Sequence, residues 1–182
     1  MLKVIAIVQA RSSSRRLPNK VLLPLGGQPV IIGLLRRLQL VPSLEKIVLA
    51  TSEDSSDDAL AHEVTSHGFD VVRGPLDDVY ERFIQVLDKY PCEFCIRITG
   101  DCPLIDPVWI EKIYRAHLNA DADYTSNALE PTLPDGMDCE VIRSQVLKSC
   151  RVKNLSEVDR EHVTHYIWNH PQEFNLQSIK NH

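Results

Sequence analysis

No stretch of this 182-residue chain approaches the roughly 20 consecutive apolar residues that a membrane-spanning helix needs, so no membrane partner is expected. The first residues reach Arg11 without the small-residue cleavage signature of a leader, and a cytoplasmic location is the expectation. Two phosphate-binding fingerprints are missing as well. Neither G-x-x-x-x-G-K-S/T nor G-x-G-x-x-G occurs, which excludes a P-loop and a dinucleotide-binding turn of that type. With no internal repeat, low-complexity tract or linker, the length fits a single domain. Positive charge is in the minority: 20 Lys and Arg face 25 Asp and Glu, a net charge of -5. That balance argues against nucleic acid as the partner but leaves a local cationic site untouched. The five cysteines are odd in number, in a chain long enough to build a core without staples, and are expected as free thiols. Cys92, Cys95 and Cys102 have no fourth ligand at zinc-finger spacing.

What the chain does have is a repeated alternation of apolar strands with helical periodicity. Residues 2–8, 46–50, 69–72 and 94–99 read as strands, the first of them nearly uncharged and therefore central. Between and after them come four helices: one with apolar positions 31, 34, 35 and 38, one over about 57–67, one capped by Asp78, and one opened by Asp106 and Pro107. Four strand-to-helix alternations predict an α/β fold, with a mostly parallel sheet covered on both faces in three α/β/α layers. After Asp121 the rhythm changes. Short strands are expected at 124–127, 139–142 and 174–179, and helices at 144–151 and 156–168, extending a mixed sheet.

In such sheets ligands bind at the carboxyl ends of the strands, here the loops 10–20, 51–58, 73–78 and 100–106. Loop 10–20 carries Arg11, Arg15, Arg16 and Lys20, enough cationic groups to neutralise several phosphoryl oxygens. Asp101 follows a later strand and is placed to hold the magnesium that a triphosphate brings with it. Together they point to phosphoryl or nucleotidyl chemistry. Loop 51–58, with its run of acids, reads as a solvated loop and acidic helix start.

The run Gln9-Ala-Arg11-Ser-Ser-Ser-Arg15-Arg16-Leu-Pro18-Asn19-Lys20 resembles the opening motif of the cytidylyltransferases that act on 3-deoxy-manno-octulosonate and acylneuraminate. It is nearest to their spore-coat polysaccharide branch. Arg97-Ile-Thr-Gly-Asp101-Cys-Pro-Leu-Ile-Asp-Pro107 is similar to that branch's second motif, and three weaker matches follow in order around Arg73 to Arg82, Gly136 to Glu140 and Arg160 to Thr164. The resemblance implies a Rossmann-like nucleotide-diphospho-sugar transferase fold and transfer of CMP from CTP to a keto-deoxy or acylamino sugar, with Mg²⁺ as cofactor. It implies that Arg11, Arg16 and Lys20 hold the triphosphate, with Ala10, Ser12 and Thr51 lining the nucleotide and Arg73 and Arg82 approaching its base or phosphates. Asp101 becomes the magnesium ligand; Asp138, Glu140, Arg160 and His162 face the acceptor sugar.

The family loop generally has glycine where this chain has Ser13 and Asn19, so altered triphosphate binding is expected. Relatives also continue past the strand at 174–179 into a segment with a further aspartate ligand, so residues 1–182 are expected to be one nucleotidyltransferase domain that is incomplete at its C-terminus. Relatives are often dimers, and a homodimer is expected. Rival readings are a transferase for another nucleotide, a glycosyltransferase using Asp121-Ala-Asp123 as a metal-binding D-x-D, and a nucleotide-binding protein without turnover. The D-x-D follows a helix rather than a central strand, which counts against it.

Overall fold

A computed structural model describes residues 2–14 and 17–180. Strand β1 (Leu2–Gln9) sits inside a seven-stranded sheet with β4 (Lys46–Ser52), β5 (Asp70–Gly74), β6 (Cys92–Thr99), β7 (Tyr124–Ser126), β8 (Glu140–Arg143) and β9 (Leu176–Ser178), in the order β5-β4-β1-β6-β8-β7-β9. The first four of that order run parallel, whereas β8 is antiparallel to both β6 and β7, and β9 is parallel to β7. The sheet is therefore mixed and mostly parallel. Two further strands, β2 (Pro24–Leu25) and β3 (Gln28–Pro29), form a small separate hairpin. Its two-residue turn places both Gly26 and Gly27 at positive φ, 62° and 84°, as a tight hairpin of right-handed strands requires.

Strand β1 is apolar from Val4 to Val8 because both of its faces are covered there. Val4, Ala6 and Val8 point into one core with α1 (Val30–Leu38), α2 (Asp58–Ser66) and α4 (Pro107–Ala120). Ile5 and Ile7 point into the other, with α3 (Val79–Lys89), α5 (Ser144–Ser149) and α7 (His165–Asn169). All seven residues from Val4 to Val8, Val48 and Leu49 are fully buried, and full burial of each aliphatic side chain stabilises by about 1.5–3 kcal/mol.

Register then decides where the loops meet. Gln9 pairs with Ala50 on one side and Thr99 on the other, so β1 and β6 end level while β4 runs on to Ser52. The chain passes from β1 outward through β4 to β5 in one direction and returns to β6 on the opposite side of β1. A crevice opens at such a reversal, outside the carboxyl ends of the strands.

One expected element is broken in two. The periodicity over 156–168 predicts a single helix, but α6 (Glu157–Glu161) stops at a turn and α7 starts afresh at His165. Between them Val163 has φ of 52°, a conformation that costs a β-branched residue of order 1–3 kcal/mol. The side chain of Val163 is buried in the core under α3, and the hydroxyl of the next residue, Thr164, donates to Glu140 at 2.6 Å. Tertiary contacts outweigh the local preference there. The five cysteines are all buried free thiols.

Candidate active site

The crevice is a cleft of about 980 Å³. Its floor comes from the ends of β1 and β6, through Gln9, Ala10, Thr99 and Gly100. The two strand ends stay locked beyond the sheet, since Gly100 N–H donates to the carbonyl of Gln9 at 2.8 Å. Glycine is required at that point: a Cβ on residue 100 would stand 2.6 Å from the Cβ of Ala10.

Loop 10–20 forms one side. Arg11 and Lys20 both border the cleft, while Arg15 and Arg16 lie outside the described residues. Several backbone N–H groups of the loop are already committed. Ser12 N–H donates to the Asp57 carboxylate, Ser14 and Asn19 N–H to the Ser12 carbonyl, and Lys20 N–H to the Leu17 carbonyl. Among the described residues, Arg11 and Lys20 bring the loop's charge to the cleft. Asn19 adopts the left-handed conformation, φ 57°, that asparagine tolerates better than most residues; Ser13 does not need it. Across the mouth, Lys20 Nζ is 2.5 Å from Asp101 Oδ2. Burial raises the Asp101 carboxyl, but hydrogen bonds from Lys20 and Thr99 outweigh it, and the group titrates below the ordinary carboxylate range.

Helix α3 supplies the strongest electrostatic feature. Its N-cap Asp78 accepts from Glu81 N–H at 2.8 Å, and one turn later Arg82 is only 2 % exposed. The Nε and Nη1 atoms of Arg82 have no hydrogen-bond partner, yet the residue borders the cleft. Burial pulls its guanidinium down from its ordinary value, and Asp57 is the foremost opposite charge resisting that fall. A buried cation with two idle donors beside an open cleft is an arrangement made for an anion.

The facing side is α6 and the turn after it, where Glu157, Arg160, Glu161 and His162 border the cleft. Arg160 Nη1 is 2.6 Å from Asp78 Oδ2, and Arg11 Nη2 stands 4.0 Å from Glu161 Oε1. These pairs span the cleft between partly exposed groups and are weak, of order 0–1 kcal/mol each.

The sequence profile of the cytidylyltransferase family matches residues 5–182. The chain belongs to the cytidylyltransferase family. The spore coat polysaccharide biosynthesis protein SpsF of Bacillus subtilis is 35 % identical over 182 residues, covering 97 % of this chain and 75 % of SpsF. The 8-amino-3,8-dideoxy-manno-octulosonate cytidylyltransferase of Shewanella frigidimarina is 36 % identical over 117 residues, 62 % of this chain and 46 % of that enzyme. Among solved structures, a cytidylyltransferase from Leptospira borgpetersenii superposes with a TM-score of 0.94 at 28 % identity, over 100 % of this chain and 77 % of that one. The fold is that of the family.

Within this cytidylyltransferase chain, the residues named from sequence fall into two sets. Ala10, Arg11, Lys20, Arg82, Asp101, Arg160 and His162 border one cleft. Ser12 and Thr51 are buried beside it rather than lining it. Arg73 is turned away: its Nε donates to the Ser52 carbonyl at 2.7 Å, and its Nη2 pairs with Asp58 at 2.7 Å. Glu140 is spent within the protein, ion-paired to Arg97 and accepting from Thr164. Arg97 in turn donates to Gln9 Oε1 at 2.8 Å, so this network braces the end of β1. Asp138 stands outside the cleft lining, its carboxyl pushed up first by burial and then by Asp135 and Glu140. Neither carboxylate of the D-x-D rival borders the cleft: Asp121 pairs with Arg143 at 2.6 Å and Asp123 accepts from Asn175 N–H at 2.9 Å.

Reasoning from sequence missed Asp57, which it read as one acid of a solvated loop. The residue is fully buried beneath the cleft wall. It also missed the part of Asp77, Asp78 and Glu157 in the cleft rim; nothing in their spacing separates a rim carboxylate from a helix-start acid.

Proposed function

We propose that this cleft binds CTP and transfers its CMP moiety to a hydroxyl of a keto-deoxy or acylamino sugar, releasing pyrophosphate, in the synthesis of an activated sugar for surface polysaccharide. The observation that carries the reading is Arg82, a buried guanidinium with two unpartnered nitrogens in the wall of a cleft also edged by Arg11 and Lys20. The triphosphate lies between loop 10–20 and α3. Its negative charge draws Lys20 away from Asp101 and Arg11 away from Glu161, and gives the idle donors of Arg82 their partner. The sugar hydroxyl attacks the α-phosphorus in line. A new oxygen–phosphorus bond forms as the bond from the α-phosphorus to the bridging oxygen breaks, and the pyrophosphate departs with its charge held by Lys20, Arg11 and Arg82. The hydroxyl proton passes to water. Arg160 and His162 border the part of the cleft left for the sugar.

Mg²⁺ fits the donor set. Asp101 offers a carboxylate at the cleft, and magnesium is commonly held by one or two carboxylates, with substrate phosphates and water completing the shell. Among the described residues no group of three His, Cys, Asp or Glu stands together. Asp101 would hold it, and the ion would supply charge neutralisation on the phosphoryl oxygens. We extend the reading to a cytoplasmic homodimer, whose dimeric state sedimentation of the purified protein tests.

Pyrophosphate release tests the reaction. Purified protein with CTP, MgCl₂ and a panel of keto-deoxy and acylamino sugars is expected to release pyrophosphate only with CTP and a matching sugar. Release with UTP or GTP but not CTP would sink the cytidine assignment.

A further inference from the structure

We propose that Asp57 is the positioning residue of the phosphate-gripping loop, fixing where Arg11 and Lys20 stand without itself touching nucleotide. This rests on reading loop 10–20 as the triphosphate site.

Asp57 has no exposed surface, and an ionised carboxylate is costly to bury unless its lone pairs are filled. Three donors fill them. Ser12 N–H reaches Oδ1 at 2.6 Å, Ser52 N–H reaches Oδ2 at 3.1 Å, and the Ser52 hydroxyl donates to the same oxygen. Burial raises the carboxyl, but these hydrogen bonds outweigh it and keep the group ionised well into acid. Asp57 stands at the N-cap position of α2, where an aspartate usually accepts from the helix backbone, and it makes no such bond. Its side chain is turned instead toward the ends of two neighbouring strands: Ser52 closes β4, and Ser12 follows β1.

The tie runs on through the loop. The carbonyl of Ser12 accepts from Ser14 N–H at 2.9 Å and Asn19 N–H at 2.8 Å, drawing the two feet of the loop together. Arg11 precedes Ser12 and Lys20 follows Asn19, so each cation stands one residue from a fixed point of this hydrogen-bonded chain. The same carboxylate is the main opposite charge acting on Arg82. One buried acid thus holds the loop cations in place by hydrogen bonds and steadies the α3 cation by charge.

The test compares wild type with Asp57→Asn, which keeps one oxygen acceptor but loses the charge, and with the milder Ser52→Ala, which removes one donor to the carboxylate. Binding of CTP, inorganic pyrophosphate and cytidine is measured by calorimetry, with circular dichroism and thermal melts to verify folding. We expect D57N to weaken CTP and pyrophosphate by tenfold or more and cytidine by less than twofold, with S52A showing the same pattern at a few-fold. Equal losses for cytidine and CTP would mean a general structural role and overturn the proposal. So would unchanged pyrophosphate binding in folded D57N. Should D57N fail to fold, S52A decides by the same ratio. Wild type that binds neither CTP nor pyrophosphate overturns the reading of the loop, and this inference with it.

Discussion

The two sides of the cleft hold their arginines in opposite ways. Arg82, on α3, is almost wholly buried, and two of its nitrogens have no partner. Arg160, on α6, is exposed and already satisfied by Asp78. The first has given up its hydration for a place in a helix, a loss that the proposed triphosphate would make good. The second loses almost nothing on either side of the exchange. On the proposed function, the buried side would set how strongly the nucleotide is held and the exposed side how easily it enters and leaves.

Substitutions break this contrast in a definite order. Arg82→Met is expected to have the largest effect. It should cut CTP-dependent pyrophosphate release by a hundredfold or more, while nucleotide-free stability stays level or rises by roughly 1–4 kcal/mol, because an unpaired buried charge is replaced by packing. Paired activity and denaturation measurements check it, and a large stability loss would mean that Arg82 is a structural cation. Gly100→Ala comes next. Its Cβ would meet the Ala10 Cβ at 2.6 Å and the Gln9 carbonyl at 3.2 Å, so a loss of about 1–3 kcal/mol is expected, together with weakened CTP binding as the floor shifts. Thr164→Val removes a donor from the buried Glu140 carboxylate and should cost about 1–3 kcal/mol in urea denaturation, with His162 displaced from the cleft. Arg160→Ala is expected to change stability by less than about 1 kcal/mol and to alter KM rather than kcat.

The smallest effect near neutral pH is a titration. The folded-state pKa of Asp57 lies below its ordinary value because hydrogen bonds outweigh burial. Its contribution to stability is therefore full above the unfolded-state pKa of about 3.9 and drains away as pH falls through the lower folded value. Wild type and D57N should converge in stability as the pH is taken below about 4, which acid denaturation curves read directly.

Much of the architecture was legible because local signals and tertiary needs agree in its first part. Asp106 caps α4 through Val108 N–H, as its place before Pro107 implies. The uncharged run of β1 means burial on both faces, and the alternation with helices means parallel pairing. The split between α6 and α7 was not legible, since the apolar period continues through Val163 and only a contact with a distant strand, through Thr164 and Glu140, turns the chain. The same limit applies to the cleft. Basic residues in loop 10–20 point to the proposed anion site by charge and position, whereas Arg73 and Arg82 look alike in sequence. One faces backbone carbonyls at the end of β4 and the other faces the cleft, and that depends on which side of a strand or helix each occupies. Asp57 was hidden for a related reason: an acid at a helix start reads as a cap, and its side chain caps nothing.

Loop 10–20 commits the N–H groups of Ser12, Ser14 and Asn19 to holding its own shape, so among its described residues the proposed grip on phosphate falls to the side chains of Arg11 and Lys20. A cradle of backbone amides is indifferent to most substitutions and cannot easily be retuned, whereas a grip written in side chains can be adjusted one codon at a time. Such a loop can keep its frame while its affinity drifts to suit the nucleotide concentration of a new host.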